Sequence, residues 1–197
     1  MPLRARRILL QLLTFQHIST ADGINSCLDP RDTNYRCGPH QIFLTRCGLV
    51  DDDFRDVTTC LDATLGGRNA VTHLFFVGND ITALPDTVFQ GLSSLRVLVI
   101  NGNRNMKTLH KDAFAGSRSL LALSIVGNGL TELHPDSFVD QRGSLLLLYI
   151  SNNRALMNLS EGLFAGLQAL KRLVVSFTGD DYPGEGMLAD LNDLDHL

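Results

Sequence analysis

The stretch from Val71 to Phe177 decides the fold, because it states one pattern five times. Its units are VTHLFFVGNDITALPDTVFQGLSS (71–94), LRVLVINGNRNMKTLHKDAFAGSRS (95–119), LLALSIVGNGLTELHPDSFVDQRGS (120–144), LLLLYISNNRALMNLSEGLFAGLQA (145–169) and the partial LKRLVVSFTGDDY (170–182). Apolar residues recur at positions 1, 4 and 6 of each unit, and an asparagine stands at position 9 of the four full ones. A period of 24 or 25 residues kept over four full units predicts a solenoid of stacked coils.

Positions 4 and 6 alternate with outward positions, as in a short strand that buries one face. Stacked as parallel strands, they predict a continuous inner ridge that no single unit could bury alone. The ridge pairs are Leu74 with Phe76, Leu98 with Ile100, Leu123 with Ile125, Leu148 with Ile150, and Leu173 with Val175. The return path of each coil is predicted to pack inside through Leu84, Leu109, Leu133 and Leu159, and through Phe89, Phe114, Phe138 and Phe164.

A polar residue stands where each strand ends. An asparagine side chain offers two donors and an acceptor, so a stack of them can bridge backbone groups of adjacent coils that would otherwise lie unpaired. We therefore predict a structural ladder formed by Asn79, Asn103, Asn128 and Asn153.

The repeated pattern resembles that of the leucine-rich repeat family, and its L-P-x-x-x-F-x-x-L second half is most similar to the extracellular class of these repeats. The resemblance covers about half of the chain, 71–178, as four full repeats and one partial repeat. It implies an α/β fold, a right-handed horseshoe-shaped solenoid with parallel strands on the concave face and irregular turns or short 3₁₀ segments on the convex face. It also implies a protein-recognition module without catalysis.

Composition fits a folded domain and argues against one class of partner. The chain has 197 residues, of which 44% are hydrophobic, and a net charge of −4 without a basic stripe. Nucleic acid is therefore not expected as a partner. The four cysteines form no C-x-x-C pair, which favours disulfides over a metal site.

The first 21 residues have the features of a secretory signal peptide. Arg4, Arg6 and Arg7 precede the apolar run 8–15, and small residues follow at Ser19–Ala21. A mitochondrial presequence, rich in arginine and free of acids, is the alternative. Removal of this segment moves the net charge from −4 to −7. We expect a secreted, extracellular product, and no other stretch is long and apolar enough for a transmembrane anchor.

Residues 22–70 contain all the cysteines and are predicted to form an N-terminal cap over the open end of the solenoid. A strand over HQIFLTRCGL would place Ile42 and Leu44 on one face against the first coil. A helix would begin after Asp51–Asp53 and end at Gly66. The segment resembles the cysteine-containing cap of extracellular leucine-rich repeat proteins, although its cysteines are spaced widely. Three pairings of Cys27, Cys37, Cys47 and Cys60 remain open, of which Cys27 with Cys37 and Cys47 with Cys60 is preferred.

Catalytic and metal sites are not expected. The chain has no G-x-S-x-G or H-E-x-x-H motif, and its histidines are scattered. A zinc site from Cys37, His40, Cys47 and Cys60 lacks the usual tight ligand pairs. The acids 51–53 lack the alternating ligands of a calcium loop. We therefore predict no enzyme activity and no cofactor.

The outward strand positions predict the working surface. Positions 3, 5 and 7 form a largely apolar patch roughly 20 Å long, across strands about 4.8 Å apart. An exposed patch of this kind marks an interaction surface, or a surface that another part of the protein covers. The predicted partner-binding residues are His73, Phe75, Val77, Val97, Val99, Asn101, Ser124, Val126, Leu147, Tyr149, Ser151, Arg172 and Val174. Phe75 and Tyr149 are the expected anchors.

Two further features concern the surface and the C-terminus. Asn158-Leu159-Ser160 is an N-glycosylation sequon. Residues 179–197 are acidic, and their leucines at 188, 191 and 194 predict a short amphipathic cap over the last coil. Alternatively, the chain is a piece of a longer receptor or adhesion protein.

The function predicted from these features is recognition of a protein or peptide ligand through the concave strand face, in a secreted protein or a receptor ectodomain. One alternative is an intracellular scaffold or adaptor with reduced cysteines. Another is a structural module that self-associates through the same face.

Overall fold

The computed structural model describes residues 40–45, 48–63, 66–86, 88–157 and 159–176, together with Leu188 and Leu191. The predicted signal segment 1–21, Cys27, Cys37, Cys47 and Asn158 lie outside these residues. The same is true of most of the C-terminal segment 179–197, including Leu194.

Six parallel strands form one sheet, and their spatial order is their order in the chain. The register pairs equivalent positions of successive coils, such as Leu74 with Leu98 and Phe75 with Val99. The strands are β1 (Gln41–Thr45), β2 (His73–Val77), β3 (Val97–Asn101), β4 (Ala122–Ser124), β5 (Leu147–Ile150) and β6 (Arg172–Val175). Each coil adds one strand, so the predicted α/β solenoid with parallel strands is confirmed.

The inner ridge is the main hydrophobic core. Side chains at positions 4 and 6 are buried in every full coil and join one continuous cluster from Ile42 in β1 to Leu173 in β6. On the return side, the rings of Phe89, Phe114 and Phe138 stack with centroids 6.1 and 6.0 Å apart. Each coil therefore buries its apolar residues against the next coil rather than within itself.

The strands end at a column of buried asparagine side chains. The side-chain oxygens of Asn103, Asn128 and Asn153 each accept the backbone N–H of the asparagine one coil earlier, at 3.0, 2.9 and 3.1 Å. Their side-chain NH₂ groups donate to strand carbonyls of the preceding coil, for example from Asn128 to the Ile100 oxygen at 2.6 Å. The column thus ties each turn to its neighbours.

The N-terminal unit covers the first coil with one strand and one helix. Strand β1 pairs in parallel with β2, and its Ile42 and Leu44 are buried, as the sequence predicts. A 3₁₀ turn at Asp51–Asp53 leads into α1 (Phe54–Ala63). This helix buries Phe54, Val57 and Leu61 against the core.

Asp51 and Cys60 fix this unit further. Asp51 accepts the backbone N–H of Thr82 at 2.7 Å and also the Thr82 hydroxyl, which links the unit to the first coil. Cys60 is buried and disulfide-bonded, and its partner lies outside the described residues. The pairing of the four cysteines therefore stays a prediction.

The return side contains one short 3₁₀ segment, Val139–Gln141, within the described residues. Gln141 lies three residues after Phe138, at a position that is Leu92 in the first coil and Leu167 in the fourth. Its side-chain NH₂ group donates to the Phe114 oxygen at 2.9 Å. A buried polar residue thus replaces a core leucine where the third coil carries an extra residue.

Two leucines beyond the last strand pack on the core. Leu191 is buried, and Leu188 contacts the same cluster. The backbone N–H of Leu191 donates to the Leu188 oxygen at 3.0 Å. These contacts lie where the sequence predicts a C-terminal cap.

Candidate functional site

The concave face consists of the outward residues of the six strands and of the residues at the next outward position just after β4, β5 and β6. The strand register fixes this set, because successive residues of a strand point to opposite sides of the sheet. The set includes every predicted partner-binding residue, so the structure places them on one surface. Its members are Gln41, Phe43 and Thr45; His73, Phe75 and Val77; Val97, Val99 and Asn101; Ala122, Ser124 and Val126; Leu147, Tyr149 and Ser151; and Arg172, Val174 and Ser176.

The centre of the concave face is buried, which corrects the expectation of an open apolar patch. Phe75 and Val99 are 1% and 2% exposed, and Val97, Ala122, Ser124 and Leu147 are also buried. The five apolar residues among them form a second hydrophobic cluster, separate from the main core. Lateral packing is part of the reason, because neighbouring strands lie about 4.8 Å apart and bring the side chains of adjacent rows together. The outward direction of these residues is as predicted.

A partly exposed rim borders the buried centre. Its side chains carry imidazole, amide, hydroxyl and guanidinium groups beside apolar residues and the ring of Tyr149. Its members are His73, Val77, Asn101, Val126, Tyr149, Ser151, Arg172 and Val174. Contacts with a partner on this face would therefore be made first by the rim.

Phe43 is an aromatic residue of the concave face that the repeat pattern does not indicate. It is 44% exposed, and its ring stacks on Phe75 with centroids 4.6 Å apart and planes only 4° from parallel. Alternation along β1 places it outward, because Ile42 and Leu44 on either side are buried. The concave face thus extends into the cap, where Phe43 is exposed and Phe75 is buried.

His73 lies beside this pair and has a defined tautomer. The Thr72 hydroxyl donates to the His40 backbone oxygen at 2.8 Å, so its only proton is used. The Thr72 oxygen, 2.8 Å from Nδ1 of His73, must therefore accept, and Nδ1 carries the proton. Burial, followed by the positive charge of Arg96, lowers the pKa of His73 below its ordinary value of 6.5. Neutral His73 is the favoured form.

Tyr149 and Arg172 form the opposite end of the face. Register pairs Leu147 with Arg172 and Tyr149 with Val174, so Arg172 is the diagonal neighbour of Tyr149. Burial raises the pKa of the Tyr149 hydroxyl, and the guanidinium of Arg172 acts in the opposite direction. The Tyr149 hydroxyl oxygen and Nε of Arg172 are both shielded from solvent and have no hydrogen-bond partner.

Asn101 interrupts the regular pairing of β3 with β4 in the middle of the face. Its side-chain oxygen accepts the Ser124 hydroxyl at 3.0 Å and the Val126 backbone N–H at 2.9 Å. The Asn101 side chain thereby accepts the Val126 backbone N–H, which a strand carbonyl would otherwise accept. This explains why β4 ends at Ser124. Asn101 and Ser124 form a polar step in the middle of the apolar surface.

A second concavity lies on the return side. It contains His110 and His134, which directly follow the equivalent leucines Leu109 and Leu133. It has a volume of about 650 Å³ and is lined by residues that include Asp86, His110, Glu132 and His134. Nδ1 of His110 is 3.2 Å from an Asp86 oxygen. Nδ1 of His134 accepts the Asp136 backbone N–H at 3.1 Å. Within the described residues no group of three or more histidine, cysteine, aspartate or glutamate side chains could hold a metal ion.

A single sheet built one strand at a time, with one shared outer face, defines a repeat protein of the solenoid class. A model of the leucine-rich repeat family matches residues 69–130 and 122–179, which together cover more than half of the chain. The chain therefore belongs to the leucine-rich repeat family. No curated protein matches it. Among the helices of the described residues, none is long and apolar enough to cross a membrane.

Proposed function

We propose that this protein is a non-catalytic recognition module that binds a protein or peptide partner through the concave face. The observation that carries the proposal is the Phe43–Phe75 stack, in which a 44% exposed ring is fixed by a buried one. A pre-positioned aromatic side chain has little conformational entropy to lose on binding, and aromatic residues dominate interface hot spots. Leucine-rich repeats suggest a protein-interaction module, and we propose that the interaction takes place on the concave face.

We also propose that the protein is secreted or belongs to a receptor or adhesion ectodomain. The signal-like segment 1–21, the disulfide-bonded Cys60 and the sequon at Asn158 support this compartment. Mass analysis of secreted material under reducing and non-reducing conditions tests it. We expect a mature chain without residues 1–21, no free thiols and a glycan on Asn158. A cytosolic chain with residues 1–21 retained and its cysteines reduced would favour the intracellular scaffold instead.

The binding face is tested with exposed positions, since substitution of buried Phe75 would damage the fold. Immobilised wild-type protein, Phe43→Asp and Met157→Asp are incubated with the extracellular medium of the producing cells, and bound proteins are crosslinked and mapped by mass spectrometry. Met157 is 55% exposed and lies outside the strands, so it is the matched control. We expect a partner that wild type and Met157→Asp retain, that Phe43→Asp loses, and whose crosslinks map to the rim.

Self-association is the competing outcome of the same experiment. Sedimentation of the purified protein would then show a dimer that Phe43→Asp dissociates and Met157→Asp does not. Crosslinks confined to the return side would contradict both versions of a concave-face function.

A further inference from the structure

We infer that His73 determines specificity at the end of the concave face nearest the cap, where its Nε2 atom accepts a hydrogen bond from an uncharged N–H or O–H group of the partner. Protonation of the imidazole removes this acceptor, so the contact is made at neutral pH and lost in acid. The inference rests on the proposed concave-face function, and it names the chemistry of one contact and its dependence on pH.

The first argument is the position of the proton on the imidazole. Nδ1 of His73 lies 2.8 Å from the Thr72 hydroxyl oxygen, and that hydroxyl donates its only proton to the His40 backbone oxygen. Nδ1 must therefore carry the proton of the neutral ring, which leaves a lone pair on Nε2. A histidine held in this tautomer offers an acceptor at Nε2 and cannot donate a hydrogen bond there.

The second argument is that a partner can reach Nε2. His73 is an outward residue of β2 and is partly exposed. Nε2 has no hydrogen-bond partner among the described residues, and it is not one of the unpaired atoms that are shielded from solvent. It differs in this respect from the Tyr149 hydroxyl at the other end of the face, which is shielded. An incoming donor therefore meets Nε2 without displacing a hydrogen bond within the protein.

The third argument is the charge around the imidazole. None of the other outward residues of β1, β2 and β3 is titratable. Just before these strands, the titratable side chains are His40 and Arg96, and Nδ1 of His40 lies against the Ala70 backbone oxygen at 2.9 Å. Burial and then the positive charge of Arg96 lower the pKa of His73 below 6.5, which favours the neutral ring. The same charge repels a lysine or arginine of the partner, so the expected donor is a backbone N–H, an amide or a hydroxyl.

Nuclear magnetic resonance of the ring nitrogens tests the tautomer without any ligand. In the secreted protein with isotope-labelled histidine, we expect the His73 proton on Nδ1 at pH 7.5. Thr72→Val removes the hydroxyl that accepts this proton, so the preference for Nδ1 should weaken. A wild-type ring with its proton on Nε2 would overturn the inference, whatever the protein binds.

A displayed library of random nonapeptides, encoded without aspartate, glutamate and histidine, tests the contact itself. Peptides that wild type retains at pH 7.5 and Phe43→Asp does not are synthesised with blocked ends. Such peptides carry no group that titrates between pH 5 and pH 7.5, so any pH dependence belongs to the protein. We expect their affinity for wild type to fall below the midpoint at which the free His73 titrates, by about tenfold per pH unit.

Variants of the protein assign the pH dependence to His73. Glutamine keeps an uncharged acceptor that does not titrate, so His73→Gln should bind within a few-fold of wild type at pH 7.5 and show no fall in acid. His73→Leu removes the acceptor and should weaken binding at pH 7.5 by about tenfold. His40→Gln and His134→Gln are the controls, and both should keep the wild-type affinity and its pH dependence. Circular dichroism at each pH confirms that every variant is folded.

Removal of single donors from a selected peptide identifies the group that Nε2 binds. Serine is replaced by alanine, threonine by valine, and each backbone N–H by an N-methyl group, one at a time. One replacement should weaken binding to wild type by about tenfold and have little further effect with His73→Leu, because both remove the same hydrogen bond. A lysine or arginine in this role would contradict the inference of an uncharged donor.

The possible results separate the inference from the function on which it rests. Peptides that Phe43→Asp loses, but whose affinity for wild type does not change with pH, would overturn the role of His73 and leave the concave-face function standing. A fall in acid that persists with His73→Gln would also overturn it. If wild type selects no peptide that Phe43→Asp loses, the proposed function fails and the inference fails with it.

Discussion

The side-chain oxygen of Asn103 accepts the backbone N–H of Asn79 at 3.0 Å, and the Asn103 NH₂ group donates to the Phe76 oxygen at 3.1 Å. One buried amide therefore satisfies two backbone groups of the preceding coil. The same arrangement is repeated at Asn128 and Asn153, so the turns form a continuous hydrogen-bonded column.

Asn103→Ala should lower the free energy of unfolding by about 3 kcal/mol, because two buried backbone groups each lose a partner at about 1–3 kcal/mol. The exposed neighbour Asn105 provides the control, and Asn105→Ala should change stability by less than about 0.5 kcal/mol. Urea unfolding of the three proteins followed by circular dichroism measures the difference. Equal stability of the two variants would mean that the column contributes little.

Asp51→Asn should weaken the junction between the cap and the first coil. Burial alone would raise the pKa of Asp51, but hydrogen bonds from the Thr82 hydroxyl and from the Thr82 and Ala83 backbone N–H groups lower it below 3.8. A carboxylate whose folded-state pKa is depressed contributes stability above pH 3.8, and this contribution is lost as the pH falls below that value. The loss at pH 7 should be about 1 kcal/mol.

Urea unfolding at pH 7 and pH 3 checks the Asp51 prediction. The wild type should be more stable than Asp51→Asn at pH 7, and the gap should narrow at pH 3. Asp52→Asn changes an exposed neighbouring acid and is the control. A gap of the same size at both values of pH would show that the charge of Asp51 is not involved.

His73 should make stability depend on pH in a higher range. Its folded-state pKa is depressed by burial and by Arg96, so the unfolded chain binds the proton first as the pH falls through about 6.5. Stability is therefore full above pH 6.5 and declines below it until the folded-state pKa is reached. His73→Gln should remove this part of the slope, whereas His134→Gln on the return side should retain it.

Nuclear magnetic resonance separates the two causes at His73. The imidazole of His73 should titrate below pH 6.5 in the wild type, and Arg96→Gln should raise its midpoint, because one positive charge is removed. A midpoint that does not move would leave burial as the whole cause. A midpoint above 6.5 in the wild type would contradict the prediction outright.

The sequence predicts which strand residues face the core, because the two-residue alternation within a strand and the repeat period agree. Leu98 and Ile100 alternate within one strand, and the same pair recurs 25 residues later as Leu123 and Ile125. Shifting the phase by one residue would turn every such pair to the outer face, which leaves one consistent solution.

The sequence predicts less about the concave face. Alternation gives the direction of Phe75 and Val99, but their burial depends in part on lateral packing that no single strand encodes. Phe43 was missed because its strand belongs to the cap and not to the repeat, although Ile42 and Leu44 already mark its neighbours as inward. Asn101 reads as a rim residue, and only the structure shows that its side chain ends β4.

Gly129 in the third coil has no space for a side chain, because the second coil is longer at the adjacent turn. In the second coil, two residues separate Asn103 from the next buried side chain, Met106. In the third coil, Gly129 alone separates Asn128 from Leu130. The Arg104 backbone oxygen consequently lies 2.2 Å from where a Cβ on Gly129 would be. Gly129→Ala should therefore cost about 1–3 kcal/mol, the usual range for overpacking. At Gly143, where an added Cβ meets nothing within 4 Å, alanine should be neutral or slightly stabilising. Thermal unfolding of both variants checks this, and a harmless Gly129→Ala would show that the inserted residue moves aside freely.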